Sequence, residues 1–115
     1  MPYSNYAEVG KTDLLEEHIL KNAIFLLNER YHLSSETLEI QTTKSPVKTL
    51  VIACNTATAF GKPHIEEMLR MANINMKVIG VVGAGAKGAL DMFDPDESGV
   101  IAISATPATV QSKAY

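Results

Sequence analysis

Cysteine is almost absent from this chain, and Cys54 is the only one. An internal disulfide is therefore excluded, which fits a reducing compartment. A thiolate-rich zinc site is excluded too, and the three histidines, His18, His32 and His64, lie at unrelated spacings. No metal is expected. The chain also lacks a basic block, and its net charge is -3. Nothing in it suits a nucleic-acid backbone or an anionic membrane surface. No apolar run is long enough to span a bilayer. The opening segment, MPYSNYAEVGKTD, has no basic stretch followed by an apolar core, so no secretory leader is expected and the cytoplasm is the expected location.

What remains is ordinary globular material. Hydrophobic residues make up 46% of the 115 positions and charged residues 20%, as in soluble domains. That length suits one domain or a portion of a larger one, burying roughly two-thirds of the surface its unfolded form exposes.

The organising stretch is Thr49 to Ala59, TLVIACNTATA. An unbroken apolar run, Leu50-Val51-Ile52-Ala53, predicts a strand from Val47 to Cys54 buried on both faces, as in a parallel sheet. Before it, Thr12 to about Tyr31 carries apolar residues at three- and four-residue spacing (Leu15, Ile19, Ala23, Leu26) and predicts a helix. Asp13 and Glu16 suggest a capping box at its start. Residues Leu38 to Gln41 alternate like a short edge strand. After Cys54 a helix is expected, interrupted or restarted around Gly61 and Pro63 and stopping near Asn73. Met76 to Val82 predicts a second buried strand, Gly83 to Phe93 a turn and then a helix, and Val100 to Ser104 a third strand before a last helix. The fold class is α/β: βαβ units forming a small parallel sheet with flanking helices, right-handed crossovers and edges that need covering. Ligands of such sheets bind at the carboxyl ends of the strands. That rim carries Cys54, Val82-Gly83 and Ser104-Ala105-Thr106.

Two candidate sites lie there. Gly83-Ala84-Gly85-Ala86-Lys87-Gly88 matches G-x-G-x-x-G between a strand and a helix, the context of a nucleotide-binding turn. However, the end of the next strand, Ile103-Ser104-Ala105, has no acidic residue to hold a ribose, and the motif does not follow the first strand. A tight turn of small residues that lets helix and sheet pack closely explains the same glycines. The second candidate is Cys54-Asn55-Thr56. A thiol placed before a helix N-terminus is more readily ionised and can act as nucleophile or proton-transfer base. A small buried thiol followed by N-capping side chains is the other reading.

The segments VIACNTATA, PYSNY, KVIGVVGAGAKGAL and ISATPATVQSKAY, taken together and in order from Pro2 to Tyr115, resemble the cofactor-independent aspartate/glutamate racemase superfamily, glutamate racemase in particular. The resemblance implies two α/β domains with an amino acid held between them. Residues 1–82 would then be part of the first domain and 83–115 the start of the second, with the two able to pack as one unit. It also implies an isomerase that needs no cofactor and interconverts L- and D-glutamate for peptidoglycan precursor supply. Two cysteines on opposite faces of the α-carbon would pass the proton, since inversion through a planar carbanion needs an acid and a base on opposite sides. By position, Cys54 matches the first of them, and Asn55 and Thr56 match its substrate-binding companions. Pro2, Tyr3 and Ser4 match a PYG loop, with Ser4 in place of glycine. Thr106 and Thr109 match two threonines of a GTxGT-like segment whose glycines are here Ala105 and Ala108. The family's Asp-Ser-Gly opening strand and its second cysteine, in a Cys-Thr-His segment, have no counterpart here. The expectation is an internal or truncated piece of such an enzyme, inactive alone, with an amino acid such as glutamate or aspartate as its small-molecule partner. A homo-oligomer, or a noncatalytic remnant with no ligand, is compatible with the same features.

Overall fold

A computed structural model of the chain describes residues 5–6, 9–28, 30–37 and 39–115. Helix α1 (Thr12–Leu27) is followed by a two-stranded antiparallel ribbon, β1 (Tyr31–His32) with β2 (Ile40–Gln41). Strand β3 (Thr49–Ile52), helix α2 (Asn55–Met71) and strand β4 (Lys77–Gly80) then form a βαβ unit whose strands pair in parallel. Helix α3 (Val81–Leu90) follows β4 directly, and helix α4 (Pro107–Ser112) ends the chain.

The α/β class and the small parallel sheet with flanking helices are as the apolar periodicity implies. The core sits between α1, α2 and one face of β3, and is built from Leu15, Ile19, Ala23, Leu50, Ile52, Ala57, Ile65 and Leu69. The stripe expected on α1 supplies its share, since Leu15, Ile19 and Ala23 recur at four-residue spacing and all are buried. The helices meet where α2 has no side chain. A Cβ at Gly61 would lie 2.2 Å from Ile19 Cγ2, so glycine is what allows this approach. A Cβ at Gly80 would likewise lie 2.3 Å from Thr58 Cγ2.

Several local expectations are corrected. The N-cap of α1 is Lys11, without a side-chain capping bond, so Asp13 and Glu16 form no capping box. Asp13 remains in the first turn, where a negative charge favours the helix dipole. Helix α1 stops at Leu27, four residues early, because Asn28 turns extended and Tyr31 is drawn into pairing with Gln41. The side-chain ammonium of Lys44 donates to the Leu26 carbonyl and supplies the positive charge that the last turn lacks. Helix α2 runs through Gly61 and Pro63 without a break. Pro63 has no N–H for the Ala59 carbonyl, but Gly61 seats the helix on Ile19 and the packed face carries the turn. Near Asn73 the expected stop is found. Asn73 adopts the left-handed conformation (φ 55°), and the N–H groups of Asn73 and Ile74 donate to the carbonyls of Arg70 and Leu69 at 3.1 and 2.9 Å. That is the pattern of a Schellman motif.

The largest departure concerns the sheet. Residues 97–106 run without regular structure and Val100 is 95% exposed, so the expected third strand does not form. Among the described residues, only β3 and β4 pair in parallel. Burial is also one-sided: Leu50 and Ile52 are covered, whereas Val51 and its register partner Ile79 are exposed. The Cα radius of gyration is 16.6 Å, against about 13 Å for a compact domain of this length.

Two sets of glycine substitutions are expected to move stability in opposite directions. Gly61→Ala should destabilise the chain by about 1–3 kcal/mol, because Ile19 has to yield. Gly83→Ala and Gly88→Ala lie within α3 at negative φ with open space around the added Cβ. Each should stabilise by about 0.4–1 kcal/mol by restricting the unfolded chain. Chemical denaturation of the three single variants reads both signs.

Candidate functional site

Only Ala53 and Cys54 separate β3 from α2. Cys54 is the N-cap residue of α2, with an extended backbone (φ -109°, ψ 129°) and no side-chain capping bond. Its carbonyl accepts the Thr58 N–H at 2.9 Å, so the backbone is committed to the helix while the thiol is not. Cys54 is exposed, which removes the reading of a small buried thiol. One turn on, the Thr58 hydroxyl donates back to the Ile52 carbonyl at 3.3 Å and ties the start of α2 to the end of β3. A groove of about 370 Å³ between α1 and β3 leads to the thiol. Ile19, Ala23 and Leu26 line one side and Leu50, Ile52 and Cys54 the other.

Beside Cys54 in sequence, the side chains of Asn55 and Thr56 reach across the molecule. Thr56, buried in the first turn of α2, lies 3.2 Å from the Thr109 hydroxyl and 3.4 Å from that of Thr106. Thr106 and Thr109 are 3.1 Å apart, which closes a triangle of hydroxyls. Thr106 caps α4 through its side chain, accepting the Thr109 N–H at 3.4 Å, and Pro107 occupies the first helical turn. Thr56 and Thr109 are buried, while Thr106 is exposed and forms the outer corner. A hydroxyl both donates and accepts, so three of them can share protons among themselves and still turn a bond outward at the exposed corner. The Asn55 side-chain oxygen accepts from the Tyr115 hydroxyl at 3.0 Å.

The tertiary structure thus gathers Thr56, Thr106 and Thr109, and places Cys54 and Asn55 at the same helix start. Among the described residues, no side-chain hydrogen bond joins Cys54 to the threonines. Pro2, Tyr3 and Ser4 lie outside the described residues. Thr106 reaches this rim without a third strand, because α4 packs directly on α2. Tyr115 was not singled out from the sequence. It stands 60 positions from Asn55, and no local pattern signals a contact over that separation.

The other candidate is overturned. Gly83, Gly85 and Gly88 all lie inside α3, whose N-cap is Gly80, so the glycine-rich segment forms no phosphate-cradling turn. Gly83 lies in the first turn, where N–H groups have no intrahelical partner, but the N–H groups of Gly85 and Gly88 bond back along the helix, so the three glycines do not form one cradle around a pyrophosphate. Close helix–sheet packing does not explain Gly83 or Gly88 either, since nothing lies within 4 Å of an added Cβ at those positions. Lys87 pairs with Asp91 at 2.6 Å on the solvated face. The histidines are engaged elsewhere: His18 against the Tyr6 ring, His32 stacked on Phe25, and His64 paired with Glu16 at 3.2 Å. Among the described residues no cluster of His, Cys, Asp or Glu could hold a metal ion, and no helix is long and apolar enough to cross a membrane.

Comparison with known proteins points one way. The chain is 42% identical over 69 residues to glutamate racemase of Lactiplantibacillus plantarum, covering 60% of this chain and 22% of that protein. It is 44% identical over 69 residues to glutamate racemase of Streptococcus agalactiae serotype III, covering 60% and 23% respectively. With glutamate racemase of Oceanobacillus iheyensis it shares 39% identity over 80 residues, or 70% and 26%. The matched stretch spans about a quarter of the length of these curated relatives. No protein-family model matches, and no solved structure does. The resemblance carried by the motifs around Cys54 therefore extends over 60–70% of the chain, which is similar in sequence to a stretch of these glutamate racemases.

Proposed function

We propose that this chain carries one half of a glutamate racemase-type proton-transfer site, with Cys54 as the acid/base on one face of an amino acid's α-carbon. The observation that supports this reading most is the placement of Cys54. It is an exposed thiol at the N-terminus of α2, at the carboxyl end of a parallel strand, with Asn55 and the Thr56–Thr106–Thr109 hydroxyls at the same helix start. The chemistry follows from those groups. The Cys54 thiolate takes the α-proton, and the electron pair stays on carbon as a planar carbanion. Hydrogen bonds from the hydroxyl corner and the N-terminal turn of α2 to the substrate carboxylate stabilise the charge that spreads onto it. The thiol exchanges its proton with solvent and then returns a solvent-derived proton to the same face, regenerating the thiolate. Asn55 is assigned to the substrate's amino group, and Pro2, Tyr3 and Ser4 to further backbone contacts.

Inversion needs a second acid on the opposite face. Cys54 is the only cysteine. The chain by itself is therefore proposed to exchange the α-proton with retention rather than to racemise. Glutamate racemisation for peptidoglycan precursors is assigned to a complete two-base enzyme of which this segment is a part. A cytoplasmic setting belongs to the same proposal.

Incubating the chain with D- and with L-glutamate in D2O separates the outcomes. The expected result is deuterium at the α-carbon of one enantiomer with its configuration kept, read by NMR and chiral chromatography. Racemisation by the chain alone would sink the one-base assignment. Cys54→Ser should lower the exchange rate by about 10²-fold or more, since it removes the general base. An unchanged rate in that variant would remove Cys54 from the chemistry.

A further inference from the structure

We infer that Tyr115 is a positioning residue that fixes the Asn55 amide so that its oxygen is offered to the ammonium group of an α-amino acid, a role that rests on the amino-acid reading proposed for Cys54. Asn55 is half-buried in the first turn of α2. Its side-chain amide has a carbonyl oxygen at one end and an NH2 group of similar size at the other. Left free to turn, such an amide offers a ligand a donor or an acceptor with little preference. Tyr115 removes that freedom, because its hydroxyl donates to Asn55 Oδ1 at 3.0 Å. A phenol donates more readily than it accepts, since its oxygen shares electron density with the ring. The amide oxygen is therefore the end held towards Tyr115, and it keeps a second lone pair for the N–H of a ligand.

Gly85 supplies the floor for the tyrosine ring. A Cβ at Gly85 would lie 3.5 Å from Cε1 and from the hydroxyl oxygen of Tyr115, so the ring rests on α3 where that helix has no side chain. The middle glycine of the segment thereby has a packing role that Gly83 and Gly88 lack. The groups at the start of α2 are sorted by sign. The first-turn N–H groups of α2 and the exposed corner at Thr106 offer donors, which suit a carboxylate. Asn55 Oδ1 offers an acceptor, which suits an ammonium. An α-amino acid carries both groups on one carbon. A cavity of about 230 Å³ is lined by Thr109, Lys113 and Tyr115, so the hydroxyl cluster and the tyrosine border one space. Lys113 adds a cation there, which favours an amino acid with a second carboxylate over a simple amine.

NMR titration of the isotope-labelled chain with D- or L-glutamate, and with glutarate, the same dicarboxylate without the amino group, tests this role. Tyr115→Phe keeps the ring on Gly85 and removes only the hydroxyl. It should weaken glutamate about 10-fold, as expected for one lost hydrogen bond to a charged group, and leave glutarate unchanged. In the D2O exchange the loss should appear in KM rather than in kcat, because the ammonium contact is made before and after the proton leaves. Asn55→Asp has an acceptor at both ends of its side chain, so adding Tyr115→Phe to it should weaken glutamate less than about 2-fold. The Asn55 side-chain NH2 signals should also move in Tyr115→Phe without any ligand. Glutamate that binds Tyr115→Phe as tightly as the unaltered chain overturns the role of Tyr115 and leaves the amino-acid site standing. So does a parallel loss of glutarate, or an equal loss in the Asn55→Asp background, since either marks a general structural effect. An unaltered chain that binds neither ligand overturns the amino-acid site, and the role of Tyr115 with it.

Discussion

The close approach of α1 to α2 at Ile19 and Gly61 governs the rest of this structure. With no Cβ at Gly61, the β-branched Ile19 side chain lies directly against the helix backbone. That contact lets Ile65 and Leu69 continue the core over Leu15 and sets α2 down on Leu50 and Ile52. Once α2 is seated, its first residue has one position available, at the end of β3. The Thr58 hydroxyl on the Ile52 carbonyl holds it there. Cys54 is therefore presented by packing that occurs two turns further along the same helix.

The polar half of the site depends on the same seat. Thr56 can meet Thr106 and Thr109 only because α4 packs against the first turns of α2. Burial of Thr56 and Thr109 would be costly without these bonds, since an unpaired buried hydroxyl loses its water. The three hydroxyls satisfy one another and leave Thr106 facing outward. Asn55 and Tyr115 close the distance between the start of α2 and the last residue of the chain.

Where sequence reading succeeded, it read side-chain periodicity. The α1 stripe, the β3–α2–β4 order, the stop at Asn73 and the position of Cys54 all follow from local pattern. Where it failed, the local pattern had two physical solutions. Gly83, Gly85 and Gly88 suit a turn, yet they also fit a helix when the preceding strand ends at Gly80 and the chain coils at once. Val100 to Ser104 is apolar enough for a strand, but a strand needs a neighbour, and none among the described residues pairs with it. Gly61 and Pro63 read as helix breakers because their effect on an isolated helix is unfavourable. Packing against Ile19 outweighs that preference.

The sequence by itself determined the α/β class, the strand that leads into Cys54, and the residue types of the candidate site. These rest on composition and on contacts a few residues long. It also carried the likeness to glutamate racemases that comparison extends over 60–70% of the chain. Only the tertiary structure decided that Thr56, Thr106 and Thr109 share one cluster, that the glycine-rich segment is helical, and that one face of the sheet stays open. The threonine cluster joins groups 50 and 53 positions apart, and the chain's own local preferences do not encode which distant partner fills a given space.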